Sequence, residues 1–173
     1  KDIHLTDRPL KVIFDCGNGT TSIVAKDVFQ KLNITSTPLF AESDPDFPNH
    51  HPDPCVEENL KQLKEKVISE HANLGVAYDG DGDRVGVVDE KGNMIETDKF
   101  MIIIWRNIYN KVTKKKALYD VKCSKSLEDE LIKLGIEPVC YRTGNSYTKA
   151  EVVRGDYPFG GEYSGHVYFR DRF

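Results

Sequence analysis

The chain lacks any apolar run approaching the ~20 residues that a membrane-spanning helix requires, which excludes such a helix. It also lacks an excess of positive charge. Lys and Arg number 24 against 28 Asp and Glu, and the formal charge of −4 removes the basic face that a nucleic-acid partner needs. Its one basic run, Lys114-Lys115-Lys116, reads as a solvated loop. The four cysteines, Cys16, Cys55, Cys123 and Cys140, form no CxxC pair, so the expectation is reduced thiols in a cytoplasmic protein. No signal-peptide pattern stands at the start, and the chain opens on Lys1 rather than Met, as one that has lost upstream residues would. No repeat of short fixed period is present. Neither nucleic acid nor membrane is expected as a partner.

What is present is an ordinary globular composition, 39% apolar and 30% charged, over 173 residues, enough for one domain or two small ones. Leu10 to Phe14 is a short β-branched run ending in Asp15-Cys16-Gly17-Asn18-Gly19. A helix is expected over Thr21 to Leu32, with Ile23, Val24, Val28, Phe29 and Leu32 on its apolar face. Strand, glycine-rich turn and helix open an α/β unit. Thr37 to Phe40 is a second strand, Asp44 to Pro54 a loop, and Val56 to Ala72 a helix on Leu60, Leu63, Val67 and Ile68. Leu74 to Tyr78 and Val85 to Val88 are strands on either side of an acidic loop, followed by a turn at Asp89 to Asn93.

A second unit is expected to begin at Met94, dividing the chain into 1–93 and 94–173. Asp98 would cap a helix from Lys99 to about Tyr109. Strands at Ala117 to Val121, Glu137 to Tyr141 and Val167 to Phe169 alternate with helices at Ser126 to Leu134 and Ser146 to Val153. The coarse echo of strand and helix between the halves points to two consecutive, related α/β domains. The second is short and stops without a terminal helix, as an incomplete domain would.

The acidic loop is Tyr78-Asp79-Gly80-Asp81-Gly82-Asp83-Arg84. Carboxylates at every second position, with glycines to turn the backbone, suit a hard divalent cation such as Mg²⁺. Arg84 is a permanently charged fork suited to phosphate oxygens. Two other readings stand beside this one. An EF-hand would use Asp79, Asp81 and Asp83 with Glu90 as its last ligand, but Arg84 occupies its glycine position and the flanks are strand-like. A plain solvated turn would leave close carboxylates repelling one another.

The second motif is Gly160-Gly161-Glu162-Tyr163-Ser164-Gly165-His166, which sets a carboxylate, a hydroxyl and an imidazole at alternate positions for a polyhydroxylated ligand. An ordinary glycine-rich turn would look the same. The adjacent His50 and His51 lack cysteine or acidic partners at ligand spacing, so loop packing is preferred over zinc.

Together the two loops resemble those of the α-D-phosphohexomutases, in particular the bacterial phosphomannomutase/phosphoglucomutase group. The resemblance extends to Asp15 to Gly19, to Phe47-Pro48-Asn49-His50-His51-Pro52, to Asp120-Val121-Lys122-Cys123 and to Tyr168-Phe169-Arg170-Asp171-Arg172. It implies the second domain and most of the third domain of a four-domain enzyme, each with a mixed sheet. The TASHNP-like loop whose serine carries the transferred phosphate has no counterpart in these residues, and neither does the fourth domain. By resemblance, Asp79, Asp81 and Asp83 hold Mg²⁺ and Arg84 contacts phosphate. Glu162 and Ser164 bind sugar hydroxyls, His166 stands at the reacting centre, and Lys122 is an acid/base group. The implied substrate is a hexose phosphate, of mannose or glucose, and the implied partners are the remaining domains of the same enzyme. Asn145 stands where close relatives carry histidine. An amide can replace a hydrogen bond there but not a proton shuttle.

Overall fold

The computed structural model describes residues 8–170, so Asp171 and Arg172 of the last motif lie outside the described residues. The chain divides between Met94 and Ile95 into two compact units.

The first unit opens with β1 (Lys11–Asp15), followed by a 3₁₀ turn and the short helix α1 (Ala25–Lys31). β2 (Thr35–Leu39) comes next, then a long irregular segment and α2 (Lys61–Ser69). β3 (Leu74–Tyr78) and β4 (Val85–Asp89) follow, and β5 (Met94–Ile95) ends the sheet. The strand order is β2-β1-β3-β4-β5, with β1 parallel to β2 and β3 and with β4 antiparallel to β3. Ile13, Leu60, Leu63, Val67, Ala77 and Val88 form the core on one side of this sheet. Val12, Phe14, Ala25 and Phe29 form the core on the other.

Sequence periodicity places two helical faces here only in part. The chain from Thr20 to Ile23 is a 3₁₀ turn, so the α-helix starts late and buries Phe29, as expected, together with Ala25. Ile23, Val24 and Val28 are exposed. In the second expected helix Leu60, Leu63 and Val67 are buried as expected, while Val56 stands ahead of another 3₁₀ turn (Glu57–Leu60) and Ile68, one position past Val67, faces outward. A 3₁₀ turn advances three residues per turn rather than 3.6, and that rotates every later side chain.

The second unit comprises α3 (Thr97–Ile108), β6 (Lys116–Asp120), α4 (Lys125–Lys133), β7 (Glu137–Tyr141), α5 (Asn145–Arg154), β8 (Phe159–Gly161) and β9 (Val167–Phe169). Its sheet runs β7-β6-β8-β9, parallel across β7, β6 and β8 and antiparallel at β9. This repeats the β2-β1-β3-β4 order of the first unit, so both halves are α/β with a mixed sheet. Asp98 does not cap α3. Glu96 holds the cap position, and buried Asp98 accepts the Ser124 amide at 3.0 Å, tying the start of α3 to the start of α4.

β8 escapes the sequence pattern because two of its residues are glycines, which strands disfavour. The packing requires both: a Cβ on Gly161 would stand 2.9 Å from the His166 carbonyl. A Cβ on Gly160 would stand 2.9 Å from the Leu118 carbonyl of β6, too close for any side chain. Among the described residues no helix is long and apolar enough to cross a membrane.

Candidate functional site

Both motif loops occupy the same topological place. The acidic loop joins β3 to the antiparallel β4, and the Gly160 to His166 loop joins β8 to the antiparallel β9. Each lies at the carboxyl end of a central parallel strand. That end, where the strand order reverses beside β1 or β6, is where open α/β sheets place ligands.

In the first unit, carboxylate oxygens of Asp79, Asp81 and Asp83 lie within 4.8 Å of one another, with Asp79 buried and the other two exposed. Asp79 Oδ1 accepts the amides of Gly82 and Arg84, each at 3.0 Å. Its Oδ2 accepts Arg84 Nε at 2.6 Å. Burial opposes the charge on Asp79, but the Arg84 bonds outweigh it and hold this carboxyl below the usual range. Asp81 goes the other way: loss of water, then the charges of Asp79 and Asp83, push it up. A carboxyl raised by its neighbours is one that a dication would relieve. Asp79 Oδ1 is taken by two amides, so a cation would share Oδ2 with Arg84 and replace the Asp79–Asp81 contact. The flanking β3 and β4 are strands, which removes the EF-hand reading.

Arg84 reaches further than its own loop. Its Nη1 donates to Asp53 Oδ1 at 3.1 Å, so two carboxylates neutralise it. A guanidinium has five N–H donors and keeps capacity for another acceptor. The loop is seated by the turn after β1, where the Thr20 amide donates to the Gly80 carbonyl at 2.9 Å. A Cβ on Gly19 would meet that carbonyl at 2.7 Å, so only glycine permits this approach. Gly82 takes φ +80°, the left-handed backbone that turns Asp83 back toward Asp79.

In the second unit, Glu162 is almost wholly buried, its Oε2 accepting the Gly144 amide and its Oε1 the Tyr168 hydroxyl, both at 3.1 Å. The Tyr168 hydroxyl also lies 2.9 Å from Asn145 Oδ1, so Asn145 and Glu162 meet at one phenol. Ser164 Oγ and His166 Nδ1 are 2.8 Å apart, and the His166 ring lies parallel to Tyr168 at 6.4 Å. Lys122 is exposed on the turn after β6. Removing the phenol with Tyr168→Phe strips a charged, buried acceptor of one partner. Urea unfolding followed by Trp105 fluorescence should show the second unit weakened by about 1–2 kcal/mol.

Sequence reading missed the residues that hold these loops. Buried Asp120, at the end of β6, accepts the Tyr163 amide (3.1 Å) and the Cys123 thiol (3.2 Å) through Oδ1. Its Oδ2 accepts the Thr143 hydroxyl at 3.0 Å. Asp15 holds the same place at the end of β1, where its Oδ1 accepts the Gly17 amide at 2.7 Å and its Oδ2 bonds His50 at 3.1 Å. The signal was available: two apolar runs, KVIFD and KALYD, each end in an aspartate.

Known proteins resemble this chain in sequence and fold. Residues 2–92 match the model for phosphoglucomutase/phosphomannomutase alpha/beta/alpha domain II, and residues 96–173 that for domain III. A phosphomannomutase/phosphoglucomutase of Pseudomonas aeruginosa is 40% identical over 166 residues, 96% of this chain and 36% of that protein. A phosphoglucomutase of Neisseria gonorrhoeae is 36% identical over 96% of the chain and 36% of its own length. A crystal structure of a phosphoglucomutase/phosphomannomutase family protein from Burkholderia thailandensis superposes with a TM-score of 0.94 at 40% identity, covering 99% of this chain and 37% of that one. The chain thus spans little more than a third of the length of these relatives.

Proposed function

Because the chain belongs to the phosphoglucomutase/phosphomannomutase family, we propose that it forms the metal-binding and sugar-recognising part of a phosphohexomutase. Such an enzyme interconverts a hexose 1-phosphate and 6-phosphate, of mannose or glucose, through a phosphoserine and a bisphosphorylated sugar. The serine belongs to a part of the enzyme outside these residues. The observation that carries the reading is the clustered Asp79, Asp81 and Asp83, with Asp79 held below the usual carboxylate range by Arg84 and Asp81 pushed up by loss of water and then by its neighbours.

The donor set, three carboxylates, suits Mg²⁺. When bound there, Mg²⁺ supplies positive charge to phosphoryl oxygens during transfer. Arg84, anchored by Asp79 and Asp53, presents its remaining donors to the same kind of oxygen. Lys122 accepts or returns the proton of the reacting sugar hydroxyl. Ser164 and His166, both half-buried, contact the sugar. Glu162 backs them and offers its remaining lone pairs to hydroxyls. Asn145 contributes a hydrogen bond and no titration, so a proton moved there in relatives with histidine is moved by another group here.

Titration with Mn²⁺, a paramagnetic stand-in for Mg²⁺, tests the metal assignment. Asp81→Asn should weaken binding at least tenfold while leaving metal-free stability unchanged or slightly raised, because it removes a repelled charge. Equal affinity in the variant would dismiss the site. The 173 residues alone should not turn over glucose 1-phosphate with a hexose bisphosphate activator, and sustained turnover would show that no separate serine segment is needed.

A further inference from the structure

The His50 ring sits between two acceptors. Nε2 is 3.1 Å from Asp15 Oδ2, and Nδ1 is 2.9 Å from the His51 carbonyl oxygen. Neither oxygen can donate, and a neutral imidazole carries one N–H. In either neutral tautomer a ring lone pair would face an oxygen lone pair. The imidazolium alone satisfies both contacts, and the Phe40 ring closes on its edge at 5.3 Å.

This ring fastens down the segment that seats the acidic loop. Asp15 is fully buried at the end of β1, so it is a fixed anchor. From His50 the segment runs to Pro52 and Asp53. Phe47 and Pro52 cover Gly80, each 3.4 Å from where its Cβ would stand. Asp53 holds Arg84, which in turn holds Asp79. Phe47 takes φ 45°, a left-handed conformation costly for a side chain of its size and kept only where surrounding contacts impose it. Asn49 adds one neutral tie, Nδ2 to Asn18 Oδ1 at 2.7 Å.

We propose that His50, as an imidazolium, is a positioning residue for the acidic loop, and that its loss of a proton loosens the seat of Gly80 and Arg84. The consequence for metal binding rests on the reading of that loop as a metal site; the coupling itself does not. The titratable and charged groups on the surrounding elements are Asp15 and Cys16 at the end of β1, Asp44, Asp46, His51 and Asp53 on its own segment, and the Asp79–Arg84 pair beyond Gly80. Of these, Asp15 is the carboxylate bonded to the ring. The Asp15 bond raises the His50 pKa above 6.5, burial opposes it, and the His51 carbonyl adds to it. The contribution is therefore whole below the unfolded value of about 6.5 and lost as pH rises through the higher folded value. In the second unit the equivalent Asp120 is met by the Thr143 hydroxyl, which does not titrate. The device belongs to the first unit alone.

The test is a pH titration of the isotopically labelled 173-residue chain by NMR, following the histidine rings, the Gly80 amide and the Arg84 Nε–H. The expected result is a His50 midpoint above 6.5, with Gly80 and Arg84 shifting at that same midpoint and losing the step in H50Q. A His50 midpoint at or below 6.5, or reporters that stay still or keep their step in H50Q, overturns the proposal. Should H50Q fail to fold, the wild-type midpoints still decide. In parallel, Mn²⁺ affinity at pH 6 should fall about three- to tenfold in H50Q. If the wild-type chain binds no Mn²⁺, the metal reading fails and the NMR midpoints decide the positioning role without it.

Discussion

Asp79→Ala should abolish measurable divalent-metal binding and weaken the first unit by about 2–4 kcal/mol. The side chain is 3% exposed and satisfies two loop amides and the Arg84 guanidinium. Truncation strands those amides and leaves Arg84 with Asp53 alone. The guanidinium is 25% exposed, so water softens the loss, and the figure lies below that of a fully buried pair. Asp79→Asn should not be mild either, because an amide has one accepting and one donating end. Whichever way it turns, its NH₂ faces either the loop amides or Arg84 Nε. The Asp79 carboxyl is held below its usual 3.8, so its contribution is present above about that pH and lost as pH falls through the lower folded value. The single tryptophan, Trp105, lies in the second unit, so fluorescence does not report this event. Amide exchange in β1 and β3 does. Unchanged protection there in both variants would show that the loop is held without Asp79.

The acidic loop was legible because its carboxylates are local: three aspartates at alternate positions stand out in one dimension. What seats the loop was not legible. Phe47, Pro52 and Asp53 reach Gly80 and Arg84 across some thirty residues that include α2 and β3, and no local pattern announces that contact. The same division holds for the fold. Glu137–Tyr141 and Val167–Phe169 are strands at the expected residues. Phe159–Gly161 was hidden, since Gly160 answers to the Leu118 backbone on β6 and Gly161 to the His166 carbonyl rather than to strand propensity. The α1 face was misjudged because the 3₁₀ turn before it reset the helical phase. Asp98 looked like a cap and is instead a bridge between two helix starts, a role visible only once α4 is placed beside α3.

Asp120→Ala should have the largest effect in the second unit, about 3 kcal/mol, although Asp120 belongs to neither motif. Its buried carboxylate gathers the Tyr163 amide, the Thr143 hydroxyl and the Cys123 thiol, one each from the connections after β8, β7 and β6. The hydroxyl and thiol can rotate toward other acceptors. The Tyr163 amide cannot, and a backbone donor stranded away from water carries most of the cost. Asp120→Asn should lose only about 1 kcal/mol, because its oxygen keeps the Tyr163 amide while its NH₂ meets the Thr143 oxygen, which accepts as readily as it donates. The asparagine substitution is therefore mild at Asp120 and harsh at Asp79, because a hydroxyl can reverse its role and a backbone N–H cannot. Trp105 fluorescence during urea unfolding measures both Asp120 variants. A second reading comes from Cys123, whose thiol is pushed well up by burial first and then by its bond to Asp120. In Asp120→Ala that bond and charge are gone, so the thiol should react faster with a disulfide reagent, while Asp120→Asn stays closer to wild type. If alanine and asparagine prove equally harmful in unfolding, the charge of Asp120 rather than its hydrogen bonds organises the three loops.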